Sequence, residues 1–276
     1  MKKHRILLLT LLILLFGLVW SVYSSRYRLQ ITYDSLTSSS LPRGFDGYRI
    51  VQLTDLHAAE FGENNCKLVE KIQALRPDMI SMTGDFIEQE SDISVTETLI
   101  AQLTDIAPVY VVSGNHDWAS GAANELRAAI ESAGGVWLGN SCRELTKNND
   151  RIILAGVEDP NSYAEMIQPD ELMDQIALAY PDTFTILLAH RNDWPEKYPN
   201  LQADLILCGH GHGGVIRLPF VGGLLGTTRT LFPTYDAGLF PCNRYTMVVS
   251  RGLGGSFPIP RLWNRPEILC LDLYCA

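Results

Sequence analysis

The sequence predicts an α/β fold that contains parallel βαβ units, and two observations lead to this prediction. Five short apolar runs rich in β-forming residues each end near a polar residue, and helical stretches separate the first three runs. Strands and helices that alternate in this way are typical of a parallel sheet covered by helices. Beyond the N-terminus, roughly 250 residues without a repeat or a low-complexity block favour one domain with a sizeable core.

The five predicted strands lie at residues 48–53, 78–82, 108–112, 184–188 and 204–208. Each is followed within three residues by a potential metal ligand, in order Asp55, Asp85, Asn115, His190 and His210. Open α/β sheets bind ligands beyond the carboxyl ends of their strands. We therefore expect these side chains to meet at one edge of the fold.

The predicted helices occupy residues 64–76, 93–105 and 121–133. In the first, Leu68, Ile72 and Leu75 recur at spacings of three and four, which places them on one helical face. Glycines precede or separate the polar residues after the strands, at positions 84, 114, 209 and 211. We expect them to allow sharp turns and a close approach of the backbone to bound ions.

Five of the six histidines lie in short clusters with Asp, Asn and Gly, and the clusters contain no cysteine. Imidazole, carboxylate and amide oxygen are ligands suited to Mn, Fe and Zn ions. Two adjacent divalent ions that share a carboxylate require about seven such ligands, which is the number available here. The His-Glu-x-x-His motif of many mononuclear zinc hydrolases is absent from the sequence.

In chain order the clusters are Asp55-x-His57, Gly84-Asp85, Gly114-Asn115-His116-Asp117, His190 and Gly209-His210-x-His212. This set resembles the motifs of the calcineurin-like metallophosphoesterase family. The resemblance extends from about Gly47 to the C-terminus, and the tail is similar to that of a membrane-associated branch containing UDP-2,3-diacylglucosamine pyrophosphohydrolase-like phosphodiesterases. It implies a four-layer α/β/β/α sandwich, in which helices flank two mixed sheets and a di-metal site lies along the sheet edge.

The resemblance also implies a role for each motif residue. One divalent ion would be held by Asp55, His57 and His212, the other by Asn115, His190 and His210, and Asp85 would bridge them. Mn is the favoured metal, with Zn and Fe as alternatives. His116 would lie beside the ions as the catalytic acid, together with Asp117.

The implied reaction is hydrolysis of a phosphodiester or pyrophosphate bond by a metal-activated hydroxide. The substrate would be a phosphorylated small molecule or a lipid-linked molecule resembling UDP-diacylglucosamine. A phosphomonoesterase, a nucleotide phosphodiesterase and a non-catalytic metal-binding module are the alternatives. All seven ligands are present, which favours an enzyme.

Two features near His116 and His190 depart from the family pattern. Asp117 stands where Glu is frequent, and two interpretations of it are open, namely a cap of the following helix or a group that orients His116. Arg191 follows His190 where relatives often have Pro. Arg191 and Arg217 could each contact a phosphate, and each could equally be an ordinary solvated side chain.

The N-terminus predicts a membrane anchor. Residues 6–22 are strongly apolar, and their 17 positions lie at the short end of the roughly 17 to 25 that span a bilayer. An uncleaved signal anchor is favoured over a cleaved signal peptide, because no small-x-small cleavage site follows. We assign residues 1–28 to the anchor and its flanks, 29–46 to a linker and first strand region, and 47–276 to the phosphoesterase domain.

Charge limits the location and the partners. Lys2, Lys3 and Arg5 precede the apolar segment and Arg26 and Arg28 follow it, which favours a single-pass cell-membrane protein with a non-cytoplasmic catalytic domain. Residues 29–276 contain 17 Lys and Arg against 31 Asp and Glu, a net charge of −14. Nucleic acid is therefore an improbable partner, since its binders present basic faces. Protein partners are left open by the sequence.

Residues 215–225 follow the last metal motif and are apolar, with interrupting Pro and Gly. A buried β-hairpin is the favoured interpretation, and an apolar lip that holds an acyl chain is the alternative. The six cysteines include no Cys-x-x-Cys pair, and Cys208 in a predicted strand is expected to be a buried thiol.

Overall fold

The computed structural model describes residues 2–162, 167–227, 229–255 and 260–276. Its helices are α1 (Lys2–Tyr27), α2 (Cys66–Leu75), α3 (Ile93–Thr104), α4 (Asn115–Ala119), α5 (Ala123–Ser132), α6 (Pro169–Ala179) and α7 (Trp194–Lys197). Its strands are β1 (Gln30–Ser38), β2 (Tyr48–Leu53), β3 (Met79–Thr83), β4 (Val109–Val112), β5 (Val136–Trp137), β6 (Ser141–Lys147), β7 (Asp150–Gly156), β8 (Thr185–Leu188), β9 (Leu205–Cys208), β10 (Arg217–Leu218), β11 (Gly222–Gly223), β12 (Gly238–Pro241), β13 (Thr246–Val249) and β14 (Glu267–Cys275). The five predicted strands and three predicted helices are all present, with ends within two residues of those predicted.

The strands form two six-stranded mixed sheets and one small hairpin. In the first sheet the order is β1-β14-β2-β3-β4-β5, and β2 to β5 run parallel as the βαβ pattern predicted. The second sheet has the order β12-β13-β9-β8-β7-β6, with a parallel centre and an antiparallel strand at each edge. Strand β14 lies between β1 and β2, parallel to the first and antiparallel to the second.

Both faces of each sheet carry apolar side chains. The inner faces of the two sheets pack against each other, and the outer faces pack on the helices. On β2, Ile50 points into the core between the sheets, whereas Val51 points towards the helices α2, α3 and α5. The outer face of the second sheet packs on α6 and α7 through Met173 and Trp194. These layers confirm the four-layer α/β/β/α sandwich.

Helix α1 is long and apolar enough to cross a membrane. Its side chains from Lys3 to Trp20 are exposed, whereas Ser21, Ser24 and Ser25 near its end are buried against the domain. Immediately after it, β1 pairs with β14 along nine residues, so the segment 29–46 is joined to the first sheet.

The segment 215–225 forms a hairpin from β10 and β11, but the prediction that it is buried is wrong for its tip. Phe220 and Val221 at the tip are exposed, because no element of the described chain covers the turn between the two strands. Cys208 is a buried thiol as predicted, and all six cysteines are free.

Candidate metal centre

The seven predicted ligands gather where five strands end, in the gap between the two sheets. They follow the ends of β2 (Asp55, His57), β3 (Asp85), β4 (Asn115, the first residue of α4), β8 (His190) and β9 (His210, His212). Five of them have a positive φ, a conformation that is uncommon for residues other than glycine: Asp55, His57, Asp85, His210 and His212. Strained backbone of this kind is concentrated at functional sites.

A first group of ligand atoms belongs to Asp55, His57, Asp85 and His212, which all lie within 4.8 Å of one another. The Nε2 atoms of His57 and His212 are 3.4 Å apart. His212 Nε2 lies 3.5 Å from Asp55 Oδ1, and His57 Nε2 lies 3.8 Å from Asp85 Oδ2. Two carboxylates and two imidazoles thus converge around one point, which suits a divalent cation.

A second group consists of Asp85, His190 and His210, also within 4.8 Å of one another, with Asn115 beside them. His190 Nε2 is 3.1 Å from Asp85 Oδ2, 3.1 Å from His210 Nδ1 and 3.2 Å from Asn115 Oδ1. Asp85 is therefore common to both groups, which is the position of a bridging carboxylate.

The donor set fits metal ions rather than an ordinary polar core. Asp85 Oδ2 is buried and has no hydrogen-bond partner among the described residues, although it faces ligand atoms of both groups. His190 is fully buried, and its Nδ1 lies 2.8 Å from the carbonyl oxygen of Thr83. An Nδ1–H donated to this carbonyl leaves the Nε2 lone pair directed into the cluster, as a metal-ligating imidazole requires.

The electrostatics of the cluster favour cation binding. Burial raises the pKa of Asp85, but the adjacent His190 outweighs it and lowers that pKa overall. Burial lowers the pKa of His190, yet Asp85 raises it to about 10, so that the cluster without ions carries a proton there. Burial and His190 together lower the pKa of His210 to about 3. Divalent ions would displace protons from this cluster, because they bind neutral imidazole and ionised carboxylate.

The side chain of Asp117 accepts hydrogen bonds from the backbone of two turns of the site. Its side chain is fully buried and accepts hydrogen bonds from the backbone N–H groups of Gly114 (2.8 Å), Asp85 (2.9 Å), Phe86 (2.7 Å) and Ile87 (3.2 Å). Burial and Asp85 raise the pKa of Asp117 to about 7, and these N–H donors act in the opposite direction. The bond to the N–H of Gly114, the N-cap residue of α4, satisfies a backbone donor at the start of the helix to which Asp117 itself belongs, so the cap of a following helix stays a prediction.

The second interpretation, in which Asp117 orients His116, stays a prediction. No hydrogen bond joins the two side chains within the described residues; instead the His116 Nδ1 lies 3.0 Å from Glu88 Oε2. Glu88 Oε1 also forms a short contact with His57 Nδ1, so one carboxylate holds both rings. Burial raises the pKa of Glu88, but the bond to His57 outweighs this effect and lowers it.

Glu88 was missed in the sequence. It belongs to none of the quoted motifs, and only its position three residues after Asp85 could have indicated it. His116 lies against His57 with ring centroids 4.9 Å apart, and its backbone N–H donates to Asp85 Oδ1 at 2.8 Å. His116 is thus beside the ligands and partly exposed, as an acid that meets substrate must be.

The two arginines considered as phosphate contacts are occupied by carboxylates. Arg191 Nε and Nη2 donate to Asp159 at 2.8 and 2.9 Å. Arg217 Nη1 donates to Asp236 at 2.9 Å. Both are therefore ion-paired rather than ordinary solvated side chains.

Two of the predicted glycines have a clear backbone reason. Gly84 has a φ of 88°, as the sharp turn after β3 requires. A Cβ on Gly114 would lie 2.2 Å from Asp85 Oδ1, so a side chain there would displace the carboxylate common to both ligand groups.

A cleft of about 460 Å³ opens beside His57 and His212. Its opposite wall includes Val22, Ser25 and Tyr27, which belong to the last turns of α1. The apolar N-terminal helix is therefore part of the cleft that leads to the ligands.

Carboxylates, imidazoles and an amide shared between two groups at the strand ends define a centre for metal-dependent hydrolysis. Residues 48–214, more than half of the chain, match the sequence model of the calcineurin-like phosphoesterases, and the chain belongs to this family. It is accordingly a metal-dependent phosphoester hydrolase.

Three curated relatives are similar along most of their length. An uncharacterized metallophosphoesterase of Bacillus subtilis, YkuE, is 27% identical over 93% of this chain and 90% of its own. The phosphodiesterase YaeI of Escherichia coli is 28% identical over 82% of each chain. A UDP-2,3-diacylglucosamine pyrophosphatase of Chlamydia muridarum, LpxG, is 25% identical over 83% of this chain and 85% of its own.

Proposed function

We propose that this protein is a membrane-anchored hydrolase that binds two divalent ions and cleaves a phosphodiester or pyrophosphate bond. The observation that carries the proposal is the position of Asp85, whose buried Oδ2 lies within 3.8 Å of imidazole nitrogens from two separate groups of ligands. One ion would be held by Asp55, His57 and His212 and the other by Asn115, His190 and His210, with Mn as the favoured metal. Such ions polarise phosphoryl oxygens and lower the pKa of bound water.

The protein's own residues position the reacting groups. In our proposal His116 is the catalytic acid, because its ring lies beside the ligands and is accessible from solvent. In its imidazolium form His116 would donate its Nδ1–H to Glu88 and carry a second proton on Nε2, which it would deliver to the leaving oxygen. Asp117 acts as a positioning residue, since it fixes the turns that carry Asp85 and Asn115.

The substrate we propose is a phosphorylated small molecule or lipid, with a lipid-linked pyrophosphate resembling UDP-diacylglucosamine as the leading example. Two observations support a lipid: α1 forms a wall of the cleft, and LpxG is named for such a pyrophosphate. The name of YaeI supports a phosphodiester as the alternative. A non-catalytic role is disfavoured because all seven ligands converge.

We further propose that α1 remains attached as a single-pass anchor, with the domain on the non-cytoplasmic side. The exposed apolar surface of α1 and the cations before it support this arrangement.

The proposal is tested with the full-length protein purified in detergent, loaded with Mn²⁺ or treated with chelator. Its hydrolysis of a chromogenic phosphodiester, a chromogenic phosphomonoester, a nucleotide sugar and a lipid pyrophosphate should stop with chelator and return with metal. A rate that survives chelation would refute the two-ion mechanism. A preference for the monoester would refute the proposed bond type while leaving the metal site intact.

A further inference from the structure

Several large apolar side chains are exposed on segments beside the end of α1. They are Phe220 and Val221 at the hairpin tip, Leu231 and Phe232 in the following loop, and Trp263. We name this set the apolar rim. Leu178 of α6, the helix that packs on the outer face of the second sheet, is a comparably exposed residue outside the set.

Backbone hydrogen bonds join the segments of the rim into one unit. The Arg217 N–H donates to the carbonyl of Leu262 at 3.0 Å, which ties the hairpin to the segment that carries Trp263. The Phe232 N–H donates to the carbonyl of Leu224 at 3.0 Å, which ties the second loop to the hairpin. The rim is therefore built on a connected framework rather than on independent loops.

The same framework holds α1. The backbone N–H groups of Trp263 and Asn264 donate to Ser21 Oγ (3.0 Å) and Ser25 Oγ (3.1 Å), and Arg265 Nε donates to Ser24 Oγ (3.0 Å). Asn264 is fully buried, and its Nδ2 donates to the carbonyl of the ligand residue His212 at 2.7 Å. The helix end, the rim and the metal cluster are thus joined through a few hydrogen bonds.

The length of α1 that is clear of the domain determines how deep its docked end, the junction of α1 with the segment around Trp263, would lie in a membrane. Only residues 6–20 of the apolar segment are clear of the domain, and at 1.5 Å per residue they extend about 22 Å. A bilayer's hydrocarbon core is about 30 Å thick. Because the free part of α1 is shorter than this core, α1 can span only if the docked turn at Ser21, and with it the neighbouring Trp263, is drawn at least as deep as the boundary between headgroups and hydrocarbon.

Side chains around the junction suit that interface. Trp20, Tyr23 and Tyr27 are exposed aromatic residues of the kind enriched at headgroup level. Arg26 and Arg28 are exposed beside them, in a chain whose remainder is strongly acidic, and would face anionic headgroups.

We infer that the apolar rim inserts into the interfacial layer of the leaflet that α1 enters, so that the cleft beside His57 and His212 opens at headgroup level. This inference rests on the proposed anchoring by α1. Its partner is the lipid bilayer itself, and it gives the exposed hairpin a role that neither a buried hairpin nor an acyl-binding lip describes.

The test uses the full-length protein in vesicles of phosphatidylcholine and phosphatidylglycerol. The vesicles contain a phospholipid that carries a photoactivatable diazirine either near the headgroup or at the chain end. Mass spectrometry should find the headgroup-proximal label on the peptides that contain Phe220, Phe232 and Trp263, and the chain-end label on α1. Label on α1 without label on the rim peptides would overturn the inference.

A double variant with Phe220→Asp and Phe232→Asp should lower headgroup-proximal labelling of the peptides around positions 220 and 232 by about tenfold, which corresponds to about 1.4 kcal/mol of lost apolar contact. The matched control Leu178→Asp should leave it unchanged. Equal labelling of the peptides around positions 220 and 232 in the double variant and the wild type would also overturn the inference, provided that thermal unfolding shows both proteins folded; the Trp263 peptide, which is hydrogen-bonded to α1, should keep its label in both. By contrast, an intact mass that lacks α1, or an unlabelled α1, would overturn the proposed anchoring itself.

Discussion

The substitution Asp117→Asn tests whether a buried carboxylate builds the metal site without touching an ion. Oδ2 of Asp117 accepts the N–H groups of Asp85 and Gly114, and Oδ1 accepts those of Phe86 and Ile87. An asparagine keeps one oxygen and directs an NH₂ group towards the other two donors. Each buried N–H that loses its acceptor costs about 1 to 3 kcal/mol. We therefore expect the free energy of unfolding to fall by about 2 to 6 kcal/mol.

For a domain of this size, 1 kcal/mol shifts Tm by about 2 to 4 °C, so Asp117→Asn should unfold at least about 4 °C below the wild type. Differential scanning calorimetry of the chelator-treated proteins measures this loss separately from metal binding. Elemental analysis after reloading should also show less metal, because the loosened turn carries Asp85. The exposed Asp170→Asn is the matched control. A variant with wild-type Tm and metal content would refute the role assigned to Asp117.

Three further outcomes are expected. The His116→Ala variant should keep both ions but lose about 100- to 10,000-fold in turnover. The Asp85→Ala variant should lose the ions as well as the turnover. Equal metal loss in the two variants would contradict the assignment of His116 as a non-ligand. Glu88→Gln should lower kcat by about tenfold or more with metal content largely retained, because a neutral amide holds His116 less firmly, and the exposed Glu90→Gln should match the wild type. Burial raises the pKa of Glu267, but Arg251 outweighs burial and lowers this pKa overall. The ion pair therefore stabilises the folded protein above a pH of about 4.5. This stability is lost as the pH falls through the lowered pKa of Glu267 in the folded state. The Glu267→Gln variant should lose less free energy of unfolding than the wild type as the pH falls. At neutral pH it should be about 3 to 5 kcal/mol less stable, because Arg251 is left buried without its partner. Urea titrations in which the free energy of unfolding depends on pH as in the wild type would contradict the assignment.

The strands that precede the ligands could be predicted because each combines a largely apolar run with a polar end. Val51 and Leu53 of β2 are buried on one face and Ile50 on the other, so the run shows no alternation, which is typical of a parallel strand inside a layered fold. By contrast, β14 enters the first sheet between β1 and β2 from more than 200 residues away. No local pattern in the sequence specifies such a pairing, because it depends on which sheet edge is left open.

The site was predictable where a residue's type alone suits a metal, and unpredictable where its role depends on contacts. Glu88 is an ordinary acidic residue in sequence, and its significance arises only when the turn after Asp85 folds back over His57 and His116. Likewise, in the sequence the serines near the end of α1 look like ordinary residues of a helix terminus. Their hydroxyls matter because they accept the N–H groups of residues about 240 positions later.

The backbone conformation of the ligand residues sets stability and metal binding against each other. Glycine usually occupies left-handed positions, yet here Asp55 and His57 adopt φ values of 52° and 46°. Each such residue costs of order 1 kcal/mol, and the surrounding hydrogen bonds hold it there: the Asp55 N–H donates to Gly84 O at 2.9 Å and the His57 N–H to Asp85 O at 3.0 Å. These bonds join one ligand turn to the next, so the protein's own backbone holds the strained geometry. A glycine at Asp55 would relieve the strain but remove a ligand, so selection for activity and selection for stability act in opposite directions at this residue.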